Sequence, residues 1–176
     1  MLNRFFFVFF ISIFFFLFSS SNADDLKINY VDIDRIISQS NAGKKMNSSI
    51  DELIKKKNKE FLKIEENLKK KDGEIIKQQN ILSKDELNKK IKDLQQEIQN
   101  YRTEKDDFRK KMAQKKLNAT AQMVSNLNKI LGIYANKNSI SLIIQKKNIV
   151  IGKSDMDITK QILEIFNKEV KDVKLN

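Results

Sequence analysis

Three short constellations in this chain carry residue types able to do chemistry. Asp32/Asp34 and Asp155/Asp157 place carboxylates two residues apart, and Gly152-Lys153-Ser154 ends as a phosphate-cradling loop does. General acid–base work would need one carboxyl of a pair desolvated beside a partner group. A solvated strand end and a helix cap account for both pairs without it. The phosphate loop also requires a glycine five residues before Gly152, where Lys147 stands, and a strand–loop–helix setting; ATP hydrolysis is therefore not expected. The chain has no His and no Cys, so it offers no imidazole base, usual zinc ligand or thiol nucleophile. The reading is of a non-enzymatic protein with no cofactor and no metal. Asn47-Ser48-Ser49 and Asn118-Ala119-Thr120 match a glycosylation acceptor pattern inside predicted coiled coil and carry no weight.

The elements that position these residues begin after a leader. Arg4 precedes an apolar run of 14 residues, Phe5 to Phe18, and Ser21-Asn22-Ala23 follows as a small-x-small cleavage site. Residues 1–23 read as a cleaved secretory signal peptide, which implies that the mature chain is exported from the cytoplasm. The run falls short of the roughly 20 apolar residues of a membrane span. Nine of the 12 Phe residues lie in it, and without Arg4 the net charge moves from +11 to +10. The absence of Pro and the presence of only four Gly leave long helices uninterrupted.

Between residues 42 and 137 the apolar positions alternate steps of four and three. A first series runs Ile50, Ile54, Phe61, Ile64, Leu68 and Ile75, with Lys57 and Lys71 at skipped steps. A second runs Leu87, Ile91, Leu94, Ile98, Tyr101, Phe108, Met112 and Ala119, interrupted by Lys105 and Lys115. This is the 3.5-residue repeat of a coiled-coil seam. It shifts by one place from Met123 through Leu127, Ile130 and Tyr134, which predicts a change of packing partner there. Ser83-Lys84-Asp85-Glu86 between the series is a capping box and hence a helix start. The pattern predicts helices over Ala42–Leu82 and from Lys84 onward, folded back on each other with the tip near 82–86.

The ends read as a β-rich oligomerisation body, 24–41 and 138–176. Lys27 to Asp34 mixes β-branched and polar residues as a strand does, with a helical turn over Arg35-Ile36-Ile37 and Ser40 or Asn41 as the next cap. Leu142-Ile143-Ile144 and Ile149-Val150-Ile151, separated by Gln145 to Asn148, predict a β-hairpin. Asp157 is placed to cap a last helix bearing Ile158, Ile162, Ile165, Phe166 and Val170 on one face, before a frayed tail after Lys171. The fold class is α+β, mostly α: a long antiparallel coiled-coil hairpin projecting from a small β body.

Residues 42–135 hold 23 Lys+Arg against 14 Asp+Glu, an excess of nine positive charges. One-signed excess implies an anionic or acidic partner. Secretion and the scarcity of aromatics argue against nucleic acid, leaving acidic polypeptides or anionic lipid. The ends are too small for a sheet and core of their own, which predicts a closed homo-oligomer, a trimer in the first instance.

Three pieces in order resemble the periplasmic chaperone family known as Skp or OmpH. Lys27 to Asp32 looks like its first strand, and Ser40-Asn41-Ala42-Gly43-Lys44 like its small-residue turn before the helical tentacle. Leu142 to Ile144, Asn148 to Ile151 and Asp157 to Lys160 look like its closing strand pair and helix start. The resemblance implies a homotrimer with a shared barrel and three tentacles, an ATP-independent holdase for unfolded outer membrane β-barrel proteins, and an open question over lipopolysaccharide contact. For client contact the tip offers Lys69, Lys70, Lys71, Ile75, Ile76, Ile81, Leu82, Lys84, Lys89 and Lys90. For the oligomer core the ends offer Ile28, Tyr30, Val31, Leu142, Ile144, Ile149 and Ile151. A structural coiled coil of the cell envelope, without chaperone activity, is the alternative.

Overall fold

The computed structural model describes residues 26–175. The signal-peptide segment, 1–23, lies outside the described residues. The elements follow in the order β1 (Ile28–Val31), α1 (Ile33–Gln39), α2 (Asn41–Gln78), α3 (Lys84–Lys137), β2 (Leu142–Gln145) and α4 (Thr159–Glu169), with single 3₁₀ turns at Lys146–Asn148 and Ser154–Met156.

Local chemistry sets most of the boundaries. The Asp32 carboxylate accepts the Arg35 N–H at 2.9 Å, so α1 starts at once and runs for seven residues, more than the single turn predicted. Ser40 caps α2 by accepting from Gly43 N–H at 3.1 Å. A Cβ on Gly43 would lie 1.8 Å from the Ile37 carbonyl oxygen; only glycine permits the end of α1 to press so closely against the start of α2. At the far end α2 stops at Gln78 rather than at Leu82. The chain must leave helical geometry to reverse, and Ile81 and Leu82 N–H both fold back onto the Gln78 carbonyl at 2.9 and 3.0 Å. Ser83 and Glu86 then form the capping box that opens α3.

Two antiparallel helices follow from that reversal. With a rise of 1.5 Å per residue, the 38 residues of α2 extend about 57 Å and the 54 of α3 about 81 Å.

The β-hairpin predicted over 142–151 does not form. β2 pairs with β1 in parallel, Ile28 opposite Leu142 and Val31 opposite Gln145, and the whole helical hairpin is the crossover that parallel strands need. The physical reason lies in the intended turn. Gln145 to Asn148 contains no Gly, its one Asn does not take a positive φ, and the segment closes instead into a 3₁₀ turn with Ile149 N–H on the Lys146 carbonyl at 3.0 Å. The other edge of β1 is met by Asp157, with Ile158 N–H donating to the Tyr30 carbonyl at 3.0 Å. Val150 and Ile151 are left 98% and 90% exposed. The end body thus holds more helix than strand, a correction to the β-rich reading.

The core sits at the root of the hairpin. Val31, Ile36, Met46, Ile50, Met123, Leu127, Ile162 and Phe166 interlock there, all buried. Each large side chain contributes roughly 1.5–3 kcal/mol by leaving water. The segment after Lys171, expected to fray, instead straps the root. Val173 and Leu175 pack on the core, Lys115 Nζ donates to the Leu175 carbonyl at 2.7 Å, and Gln122 Nε2 to the Lys174 carbonyl at 3.3 Å. Two half-buried apolar side chains outweigh the entropy of a short tail.

Candidate functional site

Away from the root the hairpin is thinly packed. Among the described residues from 61 to 111, only Phe61 and Leu94 are buried. Phe61 stands edge-on to Tyr101 at 5.7 Å and to Phe108 at 6.0 Å between ring centroids, clasping the two helices midway. Three of the four skipped seam lysines make cross-helix ion pairs, and the fourth, Lys115, binds the tail. Lys57 meets Glu104 at 2.7 Å and Glu60 at 2.9 Å, Lys71 meets Glu97 at 2.6 Å, and Lys105 meets Glu65 at 3.2 Å. Tyr101 also donates to Glu65. Hydrogen bonds from Tyr101 and Lys105 lower the Glu65 pKa, and those to Glu104 and Glu60 raise that of Lys57. Sequence periodicity marked these lysines only as gaps; their partners are set by the antiparallel register, which no single helix pattern encodes.

The lysines proposed for contact divide into two kinds. Lys71 is tied to Glu97, and Lys90 donates to the Gln78 side-chain oxygen at 2.7 Å. Lys69, Lys70, Lys84 and Lys89 are exposed and have no carboxylate partner among the described residues. Exposed apolar side chains stand at the same end, Ile76 at 56% and Ile81 at 82%, as they also do further along the hairpin at Leu62, Leu117 and Ile133; Ile75 and Leu82 are half-buried. Ile75, Lys71, Lys90 and Leu94 border a shallow cleft of about 210 Å³. A larger cleft of about 430 Å³ opens between the helices beside the aromatic clasp.

The residues that first invited chemistry do structural work. Asp157 binds Lys146 Nζ and Thr159 N–H, each at 2.9 Å. Burial pushes its carboxyl upward, but these bonds together outweigh that and leave its pKa below the ordinary value. It is not the cap residue expected from the sequence, since Ile158 takes that position without a side-chain bond; Asp157, one residue before it, supports the α4 start through Thr159 N–H. Gly152 fits under the Tyr30 ring, where a Cβ would lie 2.9 Å from a ring carbon, and the Lys153 carbonyl accepts the Tyr30 hydroxyl at 3.1 Å. Asp34 and Asp155 are exposed.

Of the residues proposed for an oligomer core, Tyr30 and Val31 are already buried within the chain. Ile28, Ile144 and Ile149 are half-buried, and Leu142 and Ile151 are open to solvent. Asn29, only 7% exposed, has a buried side-chain oxygen without a hydrogen-bond partner among the described residues.

A family model described as outer membrane protein (OmpH-like) matches residues 27–166, from β1 through the hairpin into α4. The chain belongs to the OmpH-like family. The solved structure of an OmpH-like protein from Caulobacter crescentus CB15, described as a candidate outer membrane chaperone, shares the fold with a TM-score of 0.78. The two are 15% identical, and the alignment covers 89% of this chain and 94% of that one. No curated protein matches the sequence. At that identity the likeness to the Caulobacter protein is one of fold, the long hairpin and its small base.

Proposed function

We propose that this OmpH-like protein is an ATP-independent periplasmic holding chaperone for unfolded outer membrane β-barrel proteins. The observation that carries the reading is the hairpin's distal end, where unpaired Lys69, Lys70, Lys84 and Lys89 flank exposed Ile76 and Ile81. A barrel strand alternates apolar and polar residues and aggregates in water while unpaired. Cationic side chains draw in such a chain by long-range attraction, and scattered apolar contacts shield it without imposing one conformation. Membership in the OmpH-like family, and a fold shared with a protein described as a candidate outer membrane chaperone, support the same role.

The reading extends to a homotrimer. Leu142, Val150 and Ile151 are exposed beside a two-stranded sheet, and two strands of four residues make a marginal sheet on their own. Pairing these segments between copies would cover them. The cationic surface would also meet anionic lipid or lipopolysaccharide; nucleic acid is not a partner in this compartment. The test is dilution of a urea-unfolded barrel protein into buffer, followed by light scattering. Substoichiometric to equimolar addition of the protein, without nucleotide, suppresses scattering; undiminished scattering at molar excess would remove the holdase reading in favour of a structural coiled coil.

A further inference from the structure

The cleft beside the aromatic clasp has a composition that the tip lacks. Its floor is apolar, made by Ile50, Ile54, Phe61, Phe108 and Met112, and it holds about 430 Å³, within the roughly 300–1,000 Å³ of sites that accept small ligands. Its α3 wall carries Arg109 and Lys116 and its α2 wall Asp51 and Asn58. Arg109 is 71% exposed and reaches only Asp106 of its own helix, at 3.8 Å, while Lys116 has no carboxylate partner among the described residues. An apolar floor under two available cations is complementary to an apolar or aromatic side chain followed by a carboxylate.

We infer that this cleft is a subsite for an extended acidic–aromatic peptide segment. The inference rests on the holdase reading and adds to it a defined seat midway along each hairpin. The hairpin already holds one extended segment in this manner. At the root, Val173 and Leu175 of the tail rest on the core while Lys115 and Gln122 of α3 donate to its backbone carbonyls. Apolar side chains inward and carbonyls on amine or amide donors is how any extended peptide is gripped without sequence-specific readout. In the cleft, Lys116 and Arg109 take the donor positions and the charge selects acidic segments.

The test uses the full chain and two labelled ten-residue peptides, one alternating Phe with Asp and one alternating Phe with Lys. Fluorescence anisotropy measures binding to the unaltered protein and to the double variant Arg109→Glu, Lys116→Glu, both exposed positions whose change leaves the helices intact by circular dichroism. The acidic peptide binds the unaltered protein, and the double variant weakens it by about tenfold or more. A second variant, Ile54→Trp, fills the cleft and weakens the acidic peptide without altering charge. Equal binding of the two peptides, or acidic binding untouched by both variants, overturns the subsite. Scattering of a full-length unfolded barrel protein separates the two layers. Suppression that persists with no cleft-dependent peptide binding refutes the subsite alone; cleft-dependent binding without suppression refutes the holdase.

Discussion

Replacing Phe61 by Ala removes the one large buried side chain at the middle of the hairpin. Phe61 is 3% exposed, packs edge-on against Tyr101 and Phe108, and has the Lys57 ammonium 5.1 Å from its ring centre. Core Phe→Ala changes cost about 3–5 kcal/mol. The adjoining open cleft lets water replace part of the lost volume, so the expected cost is at the low end, about 3 kcal/mol. For a chain of this size that lowers Tm by about 6–12 °C. Thermal unfolding followed at 222 nm, at fixed protein concentration, reads the shift. Hydrogen exchange reads its location: protection falls together around 57–65 and 101–112, on both helices, while the root around Met123 and Phe166 keeps its protection. A cost under about 1 kcal/mol, or exchange rising on α2 alone, would mean that the two helices do not grip each other there, and the hairpin account would be wrong at its centre.

Other consequences are equally direct. Gly43→Ala drives a Cβ into the Ile37 carbonyl and should destabilise the protein by more than about 2 kcal/mol, since a backbone atom cannot step aside cheaply; a variant as stable as the parent in urea titration contradicts that packing. Ser83→Ala removes the capping box that starts α3 and should cost about 1 kcal/mol, seen as faster amide exchange at residues 84–87. The lowered carboxyl pKa values of Glu60, Glu65, Glu86 and Asp157 stabilise the fold above the ordinary carboxylate pKa of about 4, and that stability is lost as pH falls through the folded values. The raised values of Lys57, Lys105 and Lys146 act below the ordinary lysine pKa of about 10.4 and are lost as pH rises past the folded values. Tm should therefore be flat between about pH 5 and pH 9, and a steep change near neutrality would conflict with a chain that has no His.

The reach of sequence reasoning varied along the chain for physical reasons. The two helices and the reversal at Ser83 were legible because a 3.5-residue seam and a capping box are local signals. The small-residue start at Ser40 to Gly43 was legible as a turn, but the reason for Gly43 lies in the approach of Ile37, a contact between two elements. The strand pairing departs from the pattern because the turn from Gln145 to Asn148 adopts no positive φ, and β2 finds its partner across the whole hairpin. The tail was misread because Val173 and Leu175 are too few to form a pattern, yet they suffice once a ready groove lies beneath them. The seam lysines are the most instructive case. Lys57, Lys71 and Lys105 interrupt each helix taken singly, and only the antiparallel register sets Glu104, Glu97 and Glu65 opposite them.

The central claim is that unpaired lysines at the distal end gather non-native chains. Its most direct test is the affinity of a urea-unfolded outer membrane barrel protein for the unaltered chain and for the variant carrying Lys69→Gln, Lys70→Gln, Lys84→Gln and Lys89→Gln. The account predicts unchanged helix content, binding weakened by about tenfold or more at low salt, and a smaller gap between the two proteins at high salt. Equal affinity at every salt concentration would contradict it.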